Sequence, residues 1–341
     1  MSAGFPRATL LLDRREVAGL IDLEATIPAV EAAFAEHARG GLAPPGILGI
    51  PGVGGGLHVK AAAMPGLEPR FAVKLNSNFP GNARRYGLPT IQGTIMLFDG
   101  ASGFPLAVMD SLEITILRTA AATAVAAKWL AREDADTITI CGCGAQALGQ
   151  LRAIAAVRPL RRAFLYDLDR GQAERVAAMI GSEGPEGISV TDLRRALDES
   201  PLVVTCTPSR KAFLGIGDVM PGAFVAAVGA DSEEKQELDA RLVASATLVV
   251  DLLEPCAMIG ELHHALEAGL MRREDVHAEL GQVVAGLRPG RRSADEIVVF
   301  DSTGTALQDA VTAGLAYERA LERGVGTWFD FAVRELPPEV G

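Results

Sequence analysis

The chain has 341 residues, 49% of them hydrophobic and 22% charged, and a formal net charge of −11. That length suffices for two domains and a sizeable core, and the acidic balance disfavours a nucleic-acid partner or an anionic membrane surface. No uninterrupted apolar run reaches the roughly 18 residues a membrane span needs, and the opening MSAGFPRATLLLDRREV meets charges too soon for a secretory leader, so a cytoplasmic location is expected.

Residues 8–12 read as a strand. Residues 26–38 fit a helix, with Val30, Ala33, Phe34 and His37 at helical spacing. Residues 40–56, GGLAPPGILGIPGVGGG, hold so many breakers that an irregular loop is expected, either a flexible connection or the edge of a site. LHVKAAAM and RFAVKLNSNF then read as strands, each with one lysine, Lys60 and Lys74. Residues 93–98 and 105–109 make a hairpin across the turn sequence DGASG. An Ala-rich helix containing Arg118 follows over 113–130, and a charged link over 132–136.

The stretch TITICGCGAQALGQLRAIAAVRPLRRAFLYDLD, residues 137–169, organises the chain. A short β-branched strand runs into Gly142 and Gly144. Helix formers occupy 145–157, and a second strand over 163–166 ends at Asp167. This is the layout of a dinucleotide-binding βαβ unit. The first glycine permits a tight turn. The second lets the backbone approach a pyrophosphate, which sits where free N–H groups open the helix. Asp167 lies 23 residues after Gly144, near the ~20 expected for a carboxylate that accepts a ribose 2′-hydroxyl. A carboxylate there repels a 2′-phosphate, so NAD is expected rather than NADP.

Beyond Asp167 the pattern continues. A helix is expected over 172–180 and a Gly-rich turn over 181–187. Apolar strands follow at 202–207 ending in TCTPS, at 224–228 ending in GAD, at 248–250 ending at Asp251, and at 297–300 ending in DSTG. In open parallel sheets ligands bind at such carboxyl ends. From 304 onward a helix is expected to leave this domain and pack on the N-terminal one. Cys141 and Cys143 flank the glycine turn, with Cys206 and Cys256 elsewhere and no second pair at metal spacing, so all four read as small buried residues. His263, His264 and His277 read as surface or structural, and no metal is expected.

The segment KLNSNFPGNARRYGLPTIQGTIMLFDGASGFPLAVMDSLEITILRTAAATAVAAKWLA, with ICGCGAQA, VVTCTPS, VGADSEEKQELD and FDSTGTALQD, resembles the ornithine cyclodeaminase/mu-crystallin family. The resemblance covers nearly all of the chain past about residue 58, in order and in spacing. It implies an enzyme that uses NAD(P) to move a hydride to or from the α-carbon of an amino or imino acid. It also implies a homodimer joined through the N-terminal domains. By the family pattern Lys74 and Arg118 face the substrate carboxylate and the reacting centre, Asp231 is the acid/base, and Thr303 lies near the substrate. On the cofactor side the pattern places Thr90, Arg118, Gly142, Gly144, Ala145, Gln146, Asp167, Thr207, Val228, Gly229, Lys235 and Ser302. An arginine fork suits a carboxylate, and a lysine can stabilise charge or shuttle a proton.

The early segment departs from the cyclodeaminase pattern. Gly46 stands where those members carry a substrate-binding arginine. Ala62 stands where they carry a glutamate shortly before the pair Met64–Pro65, and Lys60 appears instead. Losing that carboxylate weakens recognition of the ornithine side-chain ammonium, while Lys60 suits a substrate carboxylate. The expected fold is α/β. An NAD-binding Rossmann domain spans 131–310, and an α+β substrate and dimerisation domain takes 1–130 plus 311–341. Three activities follow: an NAD-dependent amino-acid dehydrogenase or ketimine reductase, ornithine cyclodeaminase proper, or a non-enzymatic ligand-binding protein like mu-crystallin.

Overall fold

The computed structural model describes residues 8–41, 44–64, 69–181 and 184–331. Pro65 and residues 1–7 of the opening stretch lie outside them. The chain divides into two compact units, one of residues 1–22, 42–115 and 306–341, the other of residues 23–41 and 116–305.

The first unit is a seven-stranded sheet. Its strands are β1 (Thr9–Leu12), β2 (Gly46–Gly52), β3 (Gly55–Met64), β4 (Arg70–Asn78), β5 (Ile91–Asp99), β6 (Pro105–Asp110) and β17 (Thr327–Phe329), in the order β17-β1-β6-β5-β4-β3-β2. β2 to β6 form an antiparallel meander, β1 runs parallel to β6, and β17 closes the other edge. Among the described residues three helices lie wholly here: α1 (Arg14–Leu20), capped by a reciprocal Asp13–Glu16 capping box, the short α3 (Asn82–Tyr86) and α12 (Ala306–Arg323). α12 lies on one face of β3, β4 and β5 and supplies the apolar cover that a half-buried sheet needs.

Here the chain departs from the expected loop over 40–56. Gly46–Gly52 is a strand, paired with β3 from Gly46↔Ala61 to Gly52↔Gly55. It is the edge of the sheet, where a proline such as Pro51 costs least and where glycines are tolerated. The segment after 304 does form a helix on this unit, yet the chain then returns as β17, a strand the sequence reading did not contain.

The second unit holds an all-parallel sheet. Its strands are β7 (Thr137–Cys141), β8 (Arg162–Tyr166), β9 (Glu186–Val190), β10 (Leu202–Thr205), β12 (Phe224–Ala227), β14 (Thr247–Val250), β15 (Ala278–Glu279) and β16 (Val298–Asp301), in the order β15-β14-β16-β12-β10-β7-β8-β9. A separate parallel pair joins β11 (Arg210–Leu214) to β13 (Gln236–Leu238). The central strands are buried throughout, as continuous apolar runs in parallel sheets are. The order β9-β8-β7-β10-β12-β16 is the doubly wound Rossmann arrangement, with its switch point between β7 and β10. The Gly-rich turn expected over 181–187 is shorter than that, because Glu186 and Gly187 already pair in β9. Residues 182–183 lie outside the described chain.

The unit boundaries differ from the expected division in three places, the simplest being that the second unit ends at Thr305 rather than 310. α4 (Leu112–Leu130) passes from the first unit into the second near residue 116, so most of it, Arg118 included, belongs with the parallel sheet. α2 (Leu23–Ala38) also belongs there. It packs on α11 (Leu280–Val284) so closely that a Cβ on Gly281 would lie 2.4 Å from the Phe34 carbonyl oxygen. The remaining helices of this unit are α5 (Ala147–Ala155), α6 (Arg170–Met179), α7 (Leu193–Asp198), α8 (Ala240–Ser245), α9 (Leu253–Ile259) and α10 (Glu261–Glu267).

Candidate functional site

The turn after β7 is built for a close ligand. Gly142 has φ +96°, and a Cβ on it would lie 2.8 Å from Thr207 Cγ2 and 2.9 Å from the Cys206 carbonyl oxygen, so only glycine fits. Gly144 faces open space, with nothing within 4 Å of where its Cβ would be. α5 begins at Ala147, its N-cap Gln146 makes no side-chain cap, and Ala145 is exposed. At Gly149, one turn on, a Cβ would lie 3.2 Å from Ile116 Cγ2 of α4, so glycine there lets the two helices approach. Asp167 Oδ2 accepts the Cys143 N–H at 2.7 Å and Oδ1 the Asp169 N–H at 2.8 Å. One lone pair on each oxygen is thereby used, and a second remains for ribose hydroxyls. Glycine turn, helix start and acid thus fit the pyrophosphate and ribose of a dinucleotide.

The four cysteines are free thiols, three buried and Cys206 half-buried. Burial pushes the Cys143 thiol up to about 12, helped by the charge of Asp167, and raises the other three well above the ordinary range. They are packing residues.

Across the switch point, Thr207 follows β10 and Val228 and Gly229 follow β12; Val228 N–H donates to the Thr205 carbonyl at 2.9 Å, while Thr207 and Gly229 share one partner that the sequence reading missed. Glu237 is fully buried on β13. Its Oε1 accepts the Thr207 N–H and Oγ1–H, both at 2.7 Å, and its Oε2 accepts Thr205 Oγ1–H at 2.7 Å and the Gly229 N–H at 2.9 Å. Burial raises its pKa, and these four donors pull it back. Glu261 in turn accepts the backbone N–H of Glu237 and of Leu238. Burial, reinforced by Asp301, holds Glu261 well above the usual carboxylate range.

Arg118 is buried, and its guanidinium lies against Gly304, which has φ +77°. The 302–304 turn is held by Asp251, which the sequence marked only as the end of a strand. Its carboxylate accepts the Gly304 N–H at 2.7 Å, Ser302 Oγ–H at 3.2 Å and Thr303 Oγ1–H at 3.4 Å, with Cys256 Sγ at 3.1 Å. Beside it, burial and then the charge of Asp251 lift Asp301 from 3.8 to about 7, against the N–H of Leu262 that favours its ionised form.

Asp231 and Lys235, given separate roles from sequence, form one ion pair, with Nζ donating to Oδ1 at 2.5 Å. His264 Nε2 contacts the Lys235 carbonyl at 2.8 Å. His263 and His264, read from sequence as surface or structural, have a carboxylate beside them. Potential ligand atoms of His263, His264 and Glu267 all lie within 4.8 Å of one another, because Glu267 follows His263 by one helical turn. His277 instead binds the Pro289 carbonyl.

In the first unit Lys60 and Lys74 stand directly opposite each other on β3 and β4 and share the face that α12 covers. They are 9% and 3% exposed. Asp309 of α12 meets Lys74 Nζ with both oxygens, at 2.7 and 2.6 Å. Ala62 is buried on the same face, opposite Ala72. Gly46 is exposed on the edge strand. Thr90 is exposed too, and its carbonyl accepts the Phe79 N–H.

Fold and turn together define a two-unit α/β protein built on a Rossmann-type parallel sheet. Residues 7–324 match the Ornithine cyclodeaminase/mu-crystallin family, and the chain belongs to that family. It is similar to an archaeal alanine dehydrogenase dimer with bound NAD, at 37% identity and a TM-score of 0.91 over 95% of this chain and 100% of that one. The Δ1-pyrroline-2-carboxylate reductase of Thermococcus litoralis, in complex with NADH and L-proline, is 34% identical with a TM-score of 0.85, covering 94% and 99%. The iminosuccinate reductase of Paracoccus denitrificans, in complex with NAD+, is 33% identical with a TM-score of 0.85, covering 95% and 100%.

Proposed function

We propose that the protein is an NAD-dependent oxidoreductase that moves a hydride to or from the α-carbon of a small amino or imino acid, as a dehydrogenase or ketimine reductase. The observation that carries this is Asp167. Its two oxygens brace the glycine turn and retain lone pairs for a ribose diol, beside open space at Gly144. NAD, when bound, supplies the hydride donor or acceptor. Gly142, Gly144, Ala145 and Gln146 hold its pyrophosphate, and Thr90, Thr207, Val228, Gly229, Lys235 and Ser302 complete the cofactor contacts.

Arg118 grips the substrate carboxylate with its planar fork. Lys74, clamped by Asp309, stabilises charge at the reacting centre, and Thr303 lies near the substrate. Asp231 exchanges the proton of the amine or water, with Lys235 beside it as a charge partner. Lys60 favours a substrate side chain that is neutral or acidic. Ala62, buried on the same face as Lys60, provides no carboxylate for a side-chain ammonium, which weighs against ornithine cyclodeaminase.

The reading includes a homodimer. Phe71 and Leu75 lie exposed on the face of β4 opposite Lys74, and the similar archaeal structure is a dimer. It also includes a cytoplasmic location, which suits four free thiols. No described helix is long and apolar enough to cross a membrane.

The test is a panel of pyruvate with ammonium, cyclic ketimines and ornithine, read by NADH absorbance and product mass. Oxidation of NADH by an imino acid is expected. Proline and ammonia from ornithine without net NADH change would favour the cyclodeaminase, and NADH binding without any turnover would favour a binding protein.

A further inference from the structure

Glu237 receives four hydrogen bonds from residues that end two neighbouring strands. Thr205 ends β10, Thr207 follows it, and Gly229 follows β12. Each carboxylate oxygen takes one backbone N–H, which cannot turn away, and one hydroxyl, which can. Glutamine in this place would set its NH2 against either the Thr207 or the Gly229 N–H. Neutral side chains of the same shape therefore cannot satisfy the arrangement. Space is as tight as the hydrogen bonding: a Cβ on Gly229 would lie 2.4 Å from the Thr207 carbonyl oxygen and 2.5 Å from Glu237 Cδ. Glu261 fixes the other side by binding the backbone of Glu237 and Leu238.

Position in the sheet decides what this clamp can act on. A dinucleotide lies across the switch point, with its pyrophosphate at the turn after β7. Asp167 follows β8, on one side of β7, and so takes the adenosine ribose. β10 and β12 lie on the other side. We infer that Glu237 is the positioning residue for the nicotinamide half of the cofactor, holding the 205–207 and 228–229 backbones in the shape that half requires. The inference rests on the NAD reading given above.

The test separates the two halves by titrating NADH, by its fluorescence, and ADP, by calorimetry, against the full chain. Glu237→Gln should weaken NADH by about tenfold or more and leave ADP within about twofold. Thr205→Val keeps side-chain shape, removes one donor to Oε2, and should weaken NADH several-fold with ADP again unchanged. It carries the test if Glu237→Gln does not fold. Val243→Ala, a truncation of a fully buried core residue on α8, should lower the melting temperature without moving either affinity. Equal weakening of NADH and ADP, unchanged NADH affinity in Thr205→Val, or an equal loss in Val243→Ala would overturn the inference. A wild-type chain that binds ADP but not NADH would overturn it together with the reading it rests on.

Discussion

The guanidinium of Arg118 rests on Gly304 so closely that a Cβ there would lie 2.3 Å from Nη1. Gly304→Ala should therefore displace the fork, and its φ of +77° adds backbone strain. Arg118→Lys keeps the charge and loses the planar bidentate grip. For both variants kcat/KM for the amino or imino acid should fall about 10- to 150-fold, the value of a hydrogen bond to a charged group. NADH affinity should change far less in Arg118→Lys. Steady-state kinetics that move less than twofold would remove Arg118 from the substrate carboxylate.

Asp167→Ala removes the ribose acceptor, the charge that repels a 2′-phosphate, and the two backbone bonds to Cys143 and Asp169. NAD should weaken about 10- to 150-fold, and NADP should weaken less or gain. Parallel titration of both nucleotides checks this, and an unchanged preference would contradict the assignment.

The buried acids predict a pH dependence. Asp301 rises from 3.8 to about 7 on folding, so the native chain keeps a proton that the unfolded chain has released. Stability should fall as pH climbs from about 4 to about 7, by about 1.4 kcal/mol per unit for this group, and level off above. Asp301→Asn keeps an acceptor for the Leu262 N–H and carries no titrating proton. Urea unfolding across that window should show a flatter curve for the variant than for the wild type. Parallel curves would show that Asp301 does not titrate there.

Lys60 stands opposite Lys74 in register. At an effective dielectric of about 20, like charges about 4 Å apart repel by about 4 kcal/mol, so an ornithine ammonium placed there should bind poorly. Lys60→Glu reverses the sign and should improve binding of a diamine over a neutral analogue, measured by titration in the presence of NADH. Tight ornithine binding by the wild type would contradict the proposed role of Lys60.

Much of this was legible from residues alone. The β7–α5–β8 unit could be read because strand, glycines, helix and acid fall in one local register. Lys74, Arg118 and Asp231 came from resemblance, since spacing alone does not distinguish them from other charged residues. Glu237, Glu261, Asp251 and Asp301 could not be read as a group. Each is one acid among 43 Asp and Glu residues, and only the sheet brings them under neighbouring strand ends. Asp309, the partner of Lys74, is separated from it by 235 positions. The β2 strand was hidden by its glycines and prolines, which signal a loop unless the strand is known to be an edge. The His263–Glu267 spacing was visible, and its meaning depended on α10 being a helix.

The central claim is net hydride transfer to an α-carbon, and NADH deuterated at nicotinamide C4 tests it most directly. With an imino acid from the panel, NADH should be consumed one for one with amino acid formed, and the α-carbon should carry the label as a mass increase. Ornithine converted to proline and ammonia with no net loss of NADH, or NADH bound with no label transferred to any imino acid, would contradict it.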